Sequence, residues 1–380
     1  MKKSVILLVA AILASGFMYA QKRNVVSAYN YLRKDKLEKA KEAIDPAIEH
    51  EKTKDDAKTW LYYGNVYLSI NQTDDEEFEN LDDNPLDKAY NAYLKAKKLD
   101  EKGEYTDQIE NNIQTCAQQY FNSGVLEYNA NNYEEASDAF ARSSEINATL
   151  GRTDSAAIFY AGQTAYLGQQ YEESKEFFEK SIEIDYLDPT MFRMLADAYK
   201  QTGDTTAAAE TLQKGLEEYP DEYTMITDAA NIYLLTGENE KALDMLNRAI
   251  EREDSNATLF FAAGTVYENM DKYEEAGEMY KKALEVDPNY FDANFNLGAL
   301  YFNKALEYIL EAGNLPLEET DKYDSLLKQG NELMEKALPY IEKADTLQPN
   351  DPIILQSLKE IYTRLKMMEK LKGINERLSE

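Results

Sequence analysis

The residues best suited to chemistry are a run of carboxylates. Asp74-Asp75-Glu76-Glu77-Phe78-Glu79 is followed by Asp82-Asp83-Asn84-Pro85. Clustered carboxylate oxygens are the donors a hard cation takes, but an EF-hand loop needs oxygens at fixed spacing and a Gly at its sharp turn. Both are absent, so the run reads as a solvated acidic loop, and neither a metal nor a cofactor is expected. The chain has one histidine, His50, and one cysteine, Cys116. That excludes an intramolecular disulfide and a zinc site with several Cys or His ligands, and leaves little for a nucleophile-base pair. His50 follows an apolar helical stretch and reads as a surface residue at a helix C-terminus. Cys116 lies in the helical run 109–120 and reads as a small packing residue. Paired carboxylates are abundant, yet no catalytic domain remains once the repeats below are assigned, so no enzyme is expected.

Charge narrows the partners. Asp and Glu outnumber Lys and Arg by 71 to 41, for a net charge of −30. Such a chain is repelled by phosphate backbones and by anionic lipid, and no basic cluster offsets this, so nucleic-acid binding is not expected. Tyrosine supplies 29 of the aromatic residues, against 13 Phe and 1 Trp. A Tyr keeps one polar end, which suits the shallow, half-exposed burial of a thin two-layer object. With only 9 Pro and 16 Gly, the chain does not read as a turn-rich sandwich or barrel.

The N-terminus reads as an export signal. Met1-Lys2-Lys3 is positive, Val5 to Ala14 is unbroken apolar sequence, and Met18-Tyr19-Ala20 precedes polar Gln21. This is the layout of a secretory signal with cleavage after Ala20, and no Cys follows it for lipid attachment. The apolar run is shorter than the roughly 20 residues a spanning helix needs. A periplasmic or secreted chain, with no membrane insertion after cleavage, is therefore expected.

The elements that position side chains come from a repeat. Ser174, Ala208, Ala242 and Ala276 are 34 residues apart. Twelve residues before each stand Gly162, Ala196, Ala230 and Gly264, all small. Four residues after each stand Phe178, Leu212, Leu246 and Tyr280, all large. Spacings of three, four and seven keep each set on one helical face. The pattern predicts two antiparallel helices in close contact, with small residues allowing approach and large ones filling the space beside them. Gly203-Asp204-Thr205 and Gly237-Glu238-Asn239 supply turns, and Asp287-Pro288-Asn289 stops a helix. One hairpin cannot bury its outer face alone, so the copies must stack.

This phase resembles the tetratricopeptide repeat (TPR). Trp60, Gly64, Tyr67, Ala89, Tyr93 and Ala96 carry one copy of the family signature. Phe260, Gly264, Tyr267, Ala276, Tyr280, Ala283 and Pro288 carry the clearest, and Leu297, Gly298, Tyr301, Ala337, Ile341, Ala344 and Pro349 the last full one. The resemblance implies an all-α fold, a right-handed α-solenoid of stacked antiparallel helix pairs. About eight pairs are expected over 21–349, with insertions near 70–86 and 302–333 and capping helices over 350–380. The second insertion reads as helix, making that pair longer than its neighbours.

The resemblance also implies a function. In this family the first helix of each pair lines a concave face that binds other proteins or peptides. That phase assigns Tyr62, Asn65, Phe121, Asn122, Phe159, Tyr160, Gln163, Asn231, Phe261 and Phe295 to the lining. Amides satisfy the backbone of an extended segment while aromatic rings take its side chains. The expected function is an exported protein–protein interaction scaffold. The alternative is a glycan- or peptidoglycan-binding envelope protein, since aromatic rings and carboxylates serve sugars too. Several of these rings could equally pack between adjacent repeats.

Overall fold

The computed structural model describes residues 22–75, 78 and 80–379. The segment expected to direct export, residues 1–20, lies outside the described residues, as do three positions of the acidic loop. No strand occurs among the described residues. The chain divides into two compact units, one ending at Thr202 and one beginning at Gly203.

The first unit contains a helical segment over 22–32 (α1), then α2 (Leu37–Glu49), α3 (Ala57–Asn71), α4 (Pro85–Leu99), α5 (Thr106–Asn129), α6 (Tyr133–Ala148), α7 (Ser155–Leu167), α8 (Tyr171–Glu183) and α9 (Pro189–Gln201). The second contains α10 (Thr205–Glu218), α11 (Tyr223–Thr236), α12 (Asn239–Arg252), α13 (Ala257–Asn269), α14 (Tyr273–Val286), α15 (Phe291–Gly313), α16 (Thr320–Leu347), α17 (Pro352–Arg364) and α18 (Met368–Arg377). From α2 to α9, and from α10 to α18, each helix packs on the next. The fold is an all-α solenoid of helix pairs.

Local sequence explains where the helices start and turn. Asp56, Asp154, Asp188 and Asp204 each accept a hydrogen bond from a backbone N–H in the first turn of the helix that follows. Between α5 and α6, α7 and α8, α9 and α10, α11 and α12, and α13 and α14 the chain passes through one residue with left-handed backbone. These residues are Asn131, Gln169, Gly203, Gly237 and Asp271. Each lies five residues before the small residue of the repeat, and Asp35 keeps the same offset from Ala40. Only two of the six are Gly, so composition hides a turn that recurs as regularly as the core.

In five of the pairs the close contact is between a glycine and a large side chain. A Cβ on Gly264 would lie 2.5 Å from Cε1 of Tyr280. The same crowding joins Gly64 to Tyr93, Gly124 to Phe140, Gly162 to Phe178 and Gly298 to Ile341. The small residue four positions earlier faces the opposing backbone: Ser174 Oγ donates to the carbonyl of Gly162 at 3.0 Å.

Several buried tyrosines send their hydroxyls to carboxylates at the edge of the core. Tyr67 donates to Asp45 (2.9 Å), Tyr280 to Glu268 (2.7 Å) and Tyr362 to Glu342 (2.7 Å). Each ring is buried while its oxygen stays hydrogen-bonded, which avoids the cost of an unpaired buried polar group.

Candidate functional site

In the first unit, α5, α7 and α9 are first helices of successive pairs and share side-chain contacts. The ring of Phe121 on α5 lies 6.0 Å from that of Tyr160 on α7. The Tyr166 hydroxyl of α7 donates to Asp197 of α9 at 2.8 Å. Burial pushes the Tyr166 phenol up, and the bond to Asp197 adds to this. Partial burial alone would raise the Asp197 carboxyl, but hydrogen bonds from Lys200, Tyr166 and Gln201 outweigh it and hold the group below its usual value.

The centre of this face is an aromatic patch. Tyr160 is 40% exposed and rests on three rings: Phe140 at 5.5 Å, Phe159 at 5.5 Å and Phe121. Phe121 also packs edge-on against Phe140 at 5.1 Å. Tyr160 is therefore held by its neighbours while one side stays open, and such a pre-positioned ring loses little freedom when something binds it. Asn122, next to Phe121 on α5, is exposed, and its Oδ1 accepts from Gln118 at 3.0 Å. Gln163, one turn along α7, is half-buried.

A polar cavity of about 380 Å³ adjoins the patch and shares Phe121 with it. Gln114 and Gln118 of α5, Ser143 and Asn147 of α6, and Arg152 and Asp154 before α7 form much of its wall. Arg152 donates to Gln114, and Asn147 donates to Asp154 at 2.8 Å. The hydroxyl of Ser143 is buried with no hydrogen-bond partner.

The other expected lining residues differ in how open they are. Tyr62 stacks on Tyr29 with centroids 5.1 Å apart, and Lys58 Nζ lies 5.5 Å from its ring centroid. The amide oxygen of Asn65 is taken by the Tyr93 hydroxyl (3.0 Å) and by Asn112 (2.8 Å). Phe159 is only 9% exposed and packs near Phe178 and Tyr186. It belongs to the packing of α7 on α8 and on the turn after it more than to a lining, because one step along a helix turns a side chain by about 100°. In the second unit, Asn231 on α11 is exposed. Phe261 is half-buried between Tyr280 (5.5 Å) and Tyr290 (5.3 Å), and Phe295 stacks on Phe291. The structure thus brings Phe121 and Tyr160 into contact, leaves Asn122 exposed and Gln163 half-buried on the same two helices, and uses Asn65 and Phe159 mainly to join helices.

Sequence reasoning missed Phe140, Gln114, Gln118, Asn147 and Arg152. Phe140 occupies the large position of a second helix, four residues after Ala136, and its being aromatic was the one available signal. Part of the cavity wall comes from the six-residue turn between α6 and α7, which is longer than the four-residue turns before α11, α13 and α15.

Little here suits nucleophilic or metal chemistry. Cys116 is fully buried, and burial pushes its thiol up to about 12, so no thiolate forms near neutral pH. Asp82 of the acidic loop pairs with Lys88 at 2.5 Å. Among the described residues no cluster of three His, Cys, Asp or Glu is placed to hold a metal ion.

Models of the tetratricopeptide repeat match residues 159–186 and 199–260, and a TPR repeat model matches 270–304. The chain is a tetratricopeptide-repeat protein. Comparison with curated proteins gave no match. Among solved structures, YrrB, described as a TPR protein with an unusual peptide-binding site, is 24% identical, with 50% of this chain and 95% of YrrB covered and a TM-score of 0.42. A crystal structure of MamA is 21% identical, with 47% of this chain and 97% of MamA covered and a TM-score of 0.36. As a TPR protein the chain is a protein-interaction scaffold. No described helix is long and apolar enough to cross a membrane.

Proposed function

We propose that this TPR protein is an exported scaffold, periplasmic or secreted, that binds an extended polypeptide segment across the α5–α7 face of its first unit. The observation that carries this reading is Tyr160, a large ring held open on a floor of Phe121, Phe140 and Phe159. The ring takes an apolar or aromatic side chain of the segment, while Asn122 and Gln163 hydrogen-bond its backbone and fix its direction. The polar cavity beside Phe121 accommodates a neighbouring side chain. Export rests on the sequence of residues 1–20, and intact-mass analysis of protein from the cell envelope tests it. A mature chain beginning at Gln21 supports export, and a cytosolic chain beginning at Met1 contradicts it.

The binding reading is tested with a displayed library of random peptides selected on the full chain. Selected peptides should bind wild type and lose affinity by about tenfold for Tyr160→Ala, as expected for an aromatic anchor. Binding of isolated peptidoglycan that depends on Tyr160, with no peptide selected, would favour the glycan alternative.

A further inference from the structure

The long pair α15–α16 carries a second surface, and we infer that its tip docks a cationic amphipathic segment of a partner protein. This does not rest on the groove in the first unit. α15 and α16 have 23 and 28 residues, whereas α13 and α14 have 13 and 14. At 1.5 Å per residue, α15 is longer than α14 by on the order of 14 Å, so the turn between α15 and α16 projects beyond the neighbouring pair.

The projecting turn has an unusual surface. Leu317 is 94% exposed, Leu310 69% and Tyr323 42%. A single exposed leucine needs no explanation, but three large apolar side chains around one turn offer area for a contact. Around them Glu318, Glu319, Asp321 and Asp324 are exposed and have no ion-pair partner. The nearby lysines are already used, Lys322 on Glu311 at 3.3 Å and Lys304 on Glu307 at 2.7 Å.

Charge selects the occupant. Four unpaired carboxylates repel an anionic lipid surface, and a second copy of this chain would set like charges against each other. A segment with apolar residues on one face and Lys or Arg along its edge meets both features, since the leucines and Tyr323 take the apolar face and the carboxylates take the cations. The carboxylates then steer encounter and reject acidic competitors, while the apolar contacts hold the complex.

The probe is a synthetic leucine–lysine peptide patterned as an amphipathic helix, measured by fluorescence anisotropy with the full chain. Leu310→Ser with Leu317→Ser, which adds no charge, should weaken binding by about tenfold or more at every salt concentration, because the apolar contact is lost. Glu318→Gln, Glu319→Gln, Asp321→Asn and Asp324→Asn together should weaken it at low salt only and flatten its salt dependence. Tyr160→Ala, in the other unit, should bind the probe as wild type does, which separates this surface from the groove. All these positions are exposed, and unchanged thermal melts establish that the variants are folded. If both tip variants bind the probe like wild type, the inference is wrong. It is equally overturned if sedimentation shows self-association that Leu317→Asp abolishes, or if zwitterionic vesicles capture the chain through Leu317.

Discussion

The ring of Tyr280 lies where a side chain on Gly264 would have to be. A Cβ there would stand 2.5 Å from Cε1 and 2.6 Å from Cδ1 of a ring that is fully buried. Gly264→Leu should therefore destabilise the second unit by roughly 1–3 kcal/mol or more through overpacking. Gly277, also in a helix of this pair, has the opposite expectation: its added Cβ would meet only Leu297 Cδ1 at 3.7 Å, an ordinary contact. Gly277→Ala should stabilise by about 0.5–1 kcal/mol because glycine is a poor helix former. Glu274→Leu, on the exposed side of α14, should change little. Urea denaturation of the three variants checks the order, and equal midpoints would contradict the pairing.

The left-handed turn residues make a second pair of variants. Gly237 has φ +73° at the end of α11, so Gly237→Ala should cost about 1 kcal/mol. Gln169 holds φ +62° with an exposed side chain that makes no hydrogen bond. Gln169→Gly should therefore be neutral to stabilising by up to about 1 kcal/mol, with relief of strain partly offset by the greater freedom of glycine in the unfolded chain. Thermal melts of both variants test this, and a loss of stability in Gln169→Gly would contradict it.

Alkaline pH should loosen the second unit through Tyr280. Burial pushes its phenol up to about 12, against an ordinary value near 10, and the Glu268 carboxylate contributes to the rise. A raised acid binds its proton more tightly in the folded state, so this stabilisation is complete below pH ~10 and is lost as pH climbs toward ~12. Tyr280→Phe should lower stability at pH 7 by about 1 kcal/mol, the worth of one hydrogen bond, and should show a shallower decline above pH ~10. Urea midpoints measured between neutral and alkaline pH follow both curves, and parallel curves would contradict the assignment.

Much of the repeat was legible because packing forces a period on the sequence. The spacing of Ser174, Ala208, Ala242 and Ala276, and of the large residues four positions later, reflects one contact repeated along the chain. What the small residues face was less legible. The spacing suggested backbone against backbone, and the structure adds that Gly264 opposes the Tyr280 ring while Ser174 takes the carbonyl of Gly162. The candidate site was legible only in part. Phe159 and Tyr160 are adjacent and both aromatic, yet one is 9% and the other 40% exposed. Composition cannot separate them, because the difference depends on Phe178 and Tyr186 closing over the first and leaving the second. Asn65 read as a free amide because its partners, Tyr93 and Asn112, lie far along the chain.

The central claim is that polypeptide binds on the α5–α7 face. The most direct measurement places a photo-crosslinking amino acid in turn at Asn122, Tyr160 and Gln163, and as a comparison at Glu173, which is exposed on the second helix α8. Irradiation in cells is followed by mass spectrometry of the crosslinked products. The account predicts that the three first-helix positions capture the same polypeptide segment and that Glu173 does not. Capture of a polypeptide from Glu173, with none from Asn122, Tyr160 or Gln163, would contradict it.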